Sequence, residues 1–195
     1  MRVVVERLVT SDAPEEELGA AADALERYAE RLASHPRLSR YEGFAETANA
    51  GDVRAFFDQS PVIGLANPLA PPIYLRVEGG SVVGTARFGS AYEGPPGCLH
   101  GGFVAAAFDE VLGFAQSLTG NPGMTGTLTI RYRKPTPLHT QLRFKARVVR
   151  TAGRKIFTEA RLLAGELLTA EAEGIFVSID RSRFEALANA RKVPS

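Results

Sequence analysis

Cysteine is almost absent from this chain. Among 195 residues there is one, Cys98, and only three histidines, His35, His100 and His139. A single cysteine excludes an intramolecular disulfide and fits a reducing compartment, so a cytoplasmic protein is expected. Four scattered ligands also argue against a metal site of the usual Cys/His kind. No apolar run reaches the roughly 18 residues that span a bilayer, and Val3-Val4-Val5, flanked by Arg2 and Glu6, is too short for a signal peptide. The sequence has no G-x-S-x-G elbow, no H-E-x-x-H, no P-loop and no G-x-G-x-x-G, so the chemistries those motifs serve lack their parts.

Acid is missing locally. Between Val111 and Thr158 there is no Asp or Glu, yet Arg131, Arg133, Lys134, Arg143, Lys145, Arg147, Arg150, Arg154 and Lys155 all fall there. The net charge of +1 gives no general case for nucleic acid. The block instead points to a local anion site. Arg143, Lys145 and Arg147 alternate with Leu142, Phe144 and Ala146, which makes them one solvated strand face.

What is present begins with an amphipathic segment. After a short strand at Val3 to Leu8, Ser11 or Asp12 caps a helix with Pro14 near its start. Leu18, Ala21, Ala22, Leu25, Tyr28, Ala29 and Leu32 repeat at helical spacing until His35-Pro36 ends it. A second short helix is expected at Asp52 to Gln59, then a Pro-rich connector from Ser60 to Pro72. Ile73 to Val77, Gly79-Gly80 and Ser81 to Phe88 read as a β-hairpin. An apolar helix runs from His100 to about Thr119. Four strands follow, at Met124 to Arg133, Thr140 to Arg150, Lys155 to Ala164 and Glu166 to Ile179, and a short helix closes the chain at Arg183 to Ala190. The order β-β-α-β-β-β-β predicts an α+β fold, an antiparallel sheet wrapped around one long buried helix. The boundaries follow: 1–72 an N-terminal helical extension and connector, 73–180 the main domain, 181–195 a tail. One helix cannot cover both faces of such a sheet, so a dimer is expected.

The helix carries the chemistry. Asp109 and Glu110 are its only acids, set among Phe103, Val104, Phe108, Val111, Leu112, Phe114 and Leu118, where an ionised carboxylate is costly unless used or paired. At 100° per residue, Gly102, Ala106, Asp109, Gly113 and Gln116 share one stripe of mostly small residues, which leaves room for a ligand. Glu110 lies on a more crowded stripe and is assigned to a structural ion pair. At the helix start the backbone N–H groups of Gly101 and Gly102 are unpaired donors at a positive dipole end, suited to a carbonyl oxygen that becomes negative. His35 and His139 read as surface residues, and Cys98 as a small half-buried one.

Gly94-Pro-Pro-Gly-Cys-Leu-His-Gly-Gly102 with Asp109 nine positions after His100 resembles the signature of PaaI-type hotdog-fold acyl-CoA thioesterases. The branch it resembles has a PPG–HGG motif and a threonine after the helix, matched by Met124-Thr125-Gly126. The likeness extends through Thr127 to Lys134 and Pro135-Thr-Pro-Leu138, and covers about Ile73 to Asp180. It implies a hotdog fold, a homodimer or dimer of dimers, and acyl-CoA hydrolysis to free acid and CoA with no cofactor beyond the CoA of the substrate. His100 and Gly101 of one subunit would face Asp109 and Thr125 of the other. Gly101 would bind the thioester oxygen, His100 would orient the carbonyl or the leaving sulfur, Asp109 would act as base or nucleophile, and Thr125 would hold the water.

Lys134, Arg154 and Lys155, at strand ends, are candidates for the CoA phosphates. Gly102 and Tyr132 are further substrate contacts. Gly94 stands where some relatives carry a polar amide. Two alternatives remain open: a non-catalytic acyl-CoA binding or regulatory module, which would not need Asp109, and a hotdog hydratase, disfavoured because Phe114 stands where a His is usual. Medium or long acyl chains are expected, with aryl-CoA still open.

Overall fold

The computed structural model describes residues 1–36, 60–71, 73–121 and 123–179. The short helices expected at 52–59 and 183–190 lie outside them. Six strands form one antiparallel sheet in the order β1-β2-β4-β5-β6-β3. They are β1 (Ile73–Glu78), β2 (Ser81–Ala86), β3 (Gly123–Tyr132), β4 (Leu142–Ala152), β5 (Lys155–Ala164) and β6 (Leu167–Ser178). The hairpin turns sit where glycine is required: Gly79 and Gly80 join β1 to β2, Gly153 joins β4 to β5 and Gly165 joins β5 to β6, all at positive φ. Alternation sets the faces. Leu142, Phe144 and Ala146 are buried while Arg143, Lys145 and Arg147 are exposed.

The buried helix, α3 (Gly101–Ser117), lies against this sheet. Val104, Phe108, Val111 and Leu112 are almost wholly buried, and Phe108 meets Phe144 edge-on at 5.7 Å between ring centres. Each such side chain contributes about 1.5–3 kcal/mol by leaving water, which is why a helix apolar on nearly every face settles here. Antiparallel strands wrapped on one central helix make the hotdog fold that the motif implied.

The N-terminal region departs from its expected form. Val3 to Leu8 is not a strand but lies in a helix, α1 (Arg2–Thr10). Branched residues favour strand locally, but tertiary contacts override them. The Arg2 guanidinium donates to the carbonyls of Gly64, Leu65, Asn67 and Ala70 at 2.6 to 3.0 Å, and Glu6 accepts from the backbone at Ser90 and Ala91. The second helix, α2 (Glu15–Ala33), appears as expected, but no side chain caps it. Pro14 is its N-cap residue, and the Ser11 hydroxyl instead accepts from the Ala13 N–H.

Candidate active site along helix α3

His100 is the N-cap of α3, and its backbone is held from outside the helix: the His100 N–H donates to the Tyr92 carbonyl at 2.9 Å. Its ring turns back on its own helix, and Nδ1 accepts the Gly102 N–H at 3.0 Å. This corrects one expectation. Gly102 is not a free donor, because a side-chain cap satisfies it, and the Gly101 N–H alone remains without a partner among the described residues. Tyr132, at the end of β3, donates its hydroxyl to the Gly101 carbonyl at 2.9 Å, so it fastens the strand to the helix start. Gly94 has a steric cause. A Cβ there would lie 2.8 Å from His100 Cα, so this backbone leaves no space for the amide side chain some relatives carry.

Asp109 lies half-buried two and a half turns along α3, and the Thr125 hydroxyl donates to its Oδ1 at 2.8 Å. A bulge makes that contact. Thr125 pairs with Phe176 and Thr127 with Ile175, so Gly126 has no place in the ladder. Leu128 and Ile130 point to the core. A regular strand would therefore point Gly126 inward and Thr125 outward; the extra residue reverses this and turns Thr125 onto the helix. The stripe of small residues faces this edge, with Gly113 beside Phe176 and the Gln116 amide reaching the Gly123 carbonyl at 3.5 Å.

Glu110 makes no ion pair with any described residue. Its Oε1 accepts the Ser60 hydroxyl at 2.8 Å, and that same hydroxyl also accepts from the N–H groups of Val62 and Ile63. Burial pushes the Glu110 carboxyl above its ordinary range; the Ser60 hydrogen bond opposes this and the charge of Asp109 adds to it. The adjacent acids therefore have different surroundings. Asp109 is held by a hydroxyl beside an exposed strand, whereas Glu110 is tied to the connector.

The basic candidates do not gather at one place in a single chain. Lys134 lies two residues beyond Tyr132, at the end of β3 that reaches Gly101. Lys155 pairs with Val177, which also pairs with Met124, so it belongs to the Thr125 end, as does Arg154, whose Nε donates to the Ser178 carbonyl. Thr125 and Lys134 are nine residues apart on an extended chain, about 30 Å. Much of the rest of the basic block is neutralised across strands: Arg131 pairs with Glu173, Arg133 with Glu171 and Arg147 with Glu159, while Arg150 stacks on Phe157. A groove of about 500 Å³ lined by Arg143, Lys145, Arg161 and these glutamates runs over the sheet's outer face, away from Asp109.

Cys98 is half-buried and His139 exposed, as expected, though His139 Nε2 lies 3.0 Å from the Ser90 hydroxyl. Among the described residues no group of three metal-ligating side chains assembles, and no helix is long and apolar enough to cross a membrane. One contributor gave no signal in the sequence, and another was assigned a different contact. Glu6 reaches the site's supporting turn from eighty residues away, and Tyr132 was expected on substrate rather than on Gly101.

A family model described as the thioesterase superfamily matches residues 96–171. Over 94 residues the chain is 35% identical to acyl-coenzyme A thioesterase THEM4 of Bos taurus, covering 47% of this chain and 38% of that protein. The chain spans about two fifths of the length of the curated relatives it matches. A crystal structure of a thioesterase superfamily protein superposes with a TM-score of 0.77 at 34% identity, over 90% of both chains. The fold alone is shared with smu.793 of Streptococcus mutans, solved with acetyl CoA: TM-score 0.52, 20% identity, 55% of this chain and 88% of that one.

Proposed function

Since this chain belongs to the thioesterase superfamily, we propose that it hydrolyses acyl-CoA thioesters to free acid and CoA. The observation that carries the reading is Asp109: a carboxylate on an otherwise apolar helix, oriented by the Thr125 hydroxyl. The THEM4 relatives, named as acyl-coenzyme A thioesterases, support the substrate class.

The chemistry follows from the parts. Asp109, with one oxygen held by Thr125, takes a proton from water with the other, and the Thr125 oxygen accepts a hydrogen bond from that water. The water attacks the thioester carbon. The Gly101 N–H, unpaired at the positive end of α3, stabilises the oxyanion that forms, and His100 borders the carbonyl and the departing sulfur. Collapse of the tetrahedral adduct expels CoA thiolate, which takes up the proton Asp109 drew from water and so restores the base.

One chain does not complete this site. Nine residues at 1.5 Å rise place His100 and Asp109 about 13 Å apart along α3, too far for one carbonyl to meet both. β3 is a sheet edge, exposed along most of its length, with Met124 53% and Tyr132 56% accessible. Such an edge invites pairing. A second copy paired antiparallel along β3 sets one chain's Thr125 and Asp109 beside the other's Tyr132, Gly101 and Lys134, so the homodimer supplies both halves of the site. The same pairing joins Lys134 of one copy to Arg154 and Lys155 of the other as the group that receives the CoA phosphates.

The test is release of free CoA thiol from acyl-CoAs of C2 to C18 and phenylacetyl-CoA. Hydrolysis of at least one, ranked by chain length, is expected. Tight binding of CoA esters without any thiol release would mean a binding module instead.

A further inference from the structure

Helix α1 reaches the turn that supports the site through the Glu6 carboxylate. Glu6 Oε1 accepts the Ser90 N–H at 2.9 Å and Oε2 the Ala91 N–H at 3.3 Å, so the carboxylate covers the start of the 3-10 turn Ser90–Tyr92. The Ser90 hydrogen bond, with that from Ala91, holds the Glu6 carboxyl below its ordinary range against the opposing effect of burial. The far end of the same turn is Tyr92, whose carbonyl takes the His100 N–H at 2.9 Å. The Tyr92 ring packs edge-on against Phe103 at 4.9 Å and Phe88 at 5.5 Å. Each link is a direct contact: Glu6 to Ser90 and Ala91, through Tyr92, to His100.

Two further observations mark the contact as built. A Cβ on Gly89 would run into the Glu6 carboxylate, so a side chain there would displace the acid from this position. Arg2, one turn earlier on α1, anchors the helix independently through its carbonyl contacts with residues 64 to 70. Glu6 is therefore not what attaches α1 to the domain; its carboxylate serves the turn.

We infer that Glu6 is a positioning residue: by docking on Ser90–Tyr92 it fixes the backbone that presents His100 and the Gly101 N–H. The part that concerns catalysis rests on the hydrolase reading above. A donor held a fraction of an ångström off line loses much of its effect on the transition state, whereas substrate grasped elsewhere binds as before. The loss therefore falls on kcat rather than KM.

The experiment uses the full chain with Glu6→Ala, Glu6→Gln, Gly89→Ala and the double variant Glu6→Ala/Gly89→Ala. Thiol release gives kcat and KM, and NMR amide exchange at His100 gives a readout independent of activity. Glu6→Ala should lower kcat roughly tenfold, with KM within about twofold and melting little changed. Glu6→Gln, which keeps one acceptor, should recover part of the rate. Gly89→Ala should match Glu6→Ala by displacing the carboxylate, and the double variant should be no worse than either single one, because all three break one contact. His100 exchange should quicken in each of the four.

Unchanged kcat in Glu6→Ala, or losses that add in the double variant, would overturn the inference. If the unaltered protein hydrolyses no acyl-CoA, it is the hydrolase reading that fails. Exchange at His100 then decides the positioning role: faster in Glu6→Ala upholds it, unchanged overturns it.

Discussion

Thr125 reaches Asp109 at 2.8 Å because Gly126 drops out of the ladder between β3 and β6. One hydroxyl thereby fixes a carboxylate that the apolar helix alone would leave free to rotate. Thr125→Ser should keep most of the hydrolytic rate and Thr125→Ala should lower kcat about 10- to 100-fold. Deleting Gly126 makes Thr125 opposite Phe176 and Thr127 opposite Ile175 consecutive rungs of a regular ladder, so Thr125 still faces α3 and most of the rate should survive. Steady-state thiol release on the three variants checks this, and full activity in Thr125→Ala would show that the contact is only structural.

Gly101 is the first residue of α3, the position where proline is best tolerated, because its N–H has no intrahelical partner. His100 has φ −61° and ψ 132°, a conformation compatible with a following proline. A Cβ at Gly101 would meet Tyr132 at an ordinary 3.5 Å. Gly101→Pro therefore removes the proposed oxyanion donor and leaves the helix in place. Circular dichroism should be unchanged while kcat falls about 10²- to 10³-fold. Retained activity in a folded Gly101→Pro protein would remove Gly101 from the mechanism.

Glu110 carries a pH signature. Burial raises its carboxyl above the ordinary value of 4.5 in the folded protein. Over the interval from that value up to the raised one, the folded state keeps a proton that the unfolded chain has released. Stability therefore falls as pH rises through the interval and stays lowered above it. Glu110→Gln still accepts from Ser60 and has nothing to ionise. Its melting temperature should exceed that of the unaltered protein at neutral pH, with the gap closing below about pH 4. Melting curves from pH 4 to 8 test it; a constant gap would place Glu110 outside the titration.

The features legible in the sequence were those set by local pattern. Alternation of Leu142, Phe144 and Ala146 with Arg143, Lys145 and Arg147 marked β4 and its faces. Gly79-Gly80, Gly153 and Gly165 marked the turns, and the family resemblance carried by His100, Asp109 and Thr125 pointed to the candidate site. Long-range contacts were not legible. Val3-Val4-Val5 reads as strand because the contact that holds it in a docked helix is Arg2 gripping carbonyls more than sixty positions away. Glu110 seemed to need a cation because its partner, Ser60, lies fifty residues earlier and is neutral. Gly102 looked like a free donor because occupation of its N–H by His100 Nδ1 depends on a rotamer that no spacing reveals.

The central claim is that one hydrolytic site is assembled from Asp109 of one copy and Gly101 of another. Co-expressing Asp109→Asn and Gly101→Pro chains with different tags and isolating the mixed dimer tests it most directly. Each parent dimer should be nearly inactive. The mixed dimer holds one site with both changes and one with neither, so it should run at about half the unaltered rate. A mixed dimer no faster than its parents, or failure to isolate any mixed dimer, would contradict the shared site.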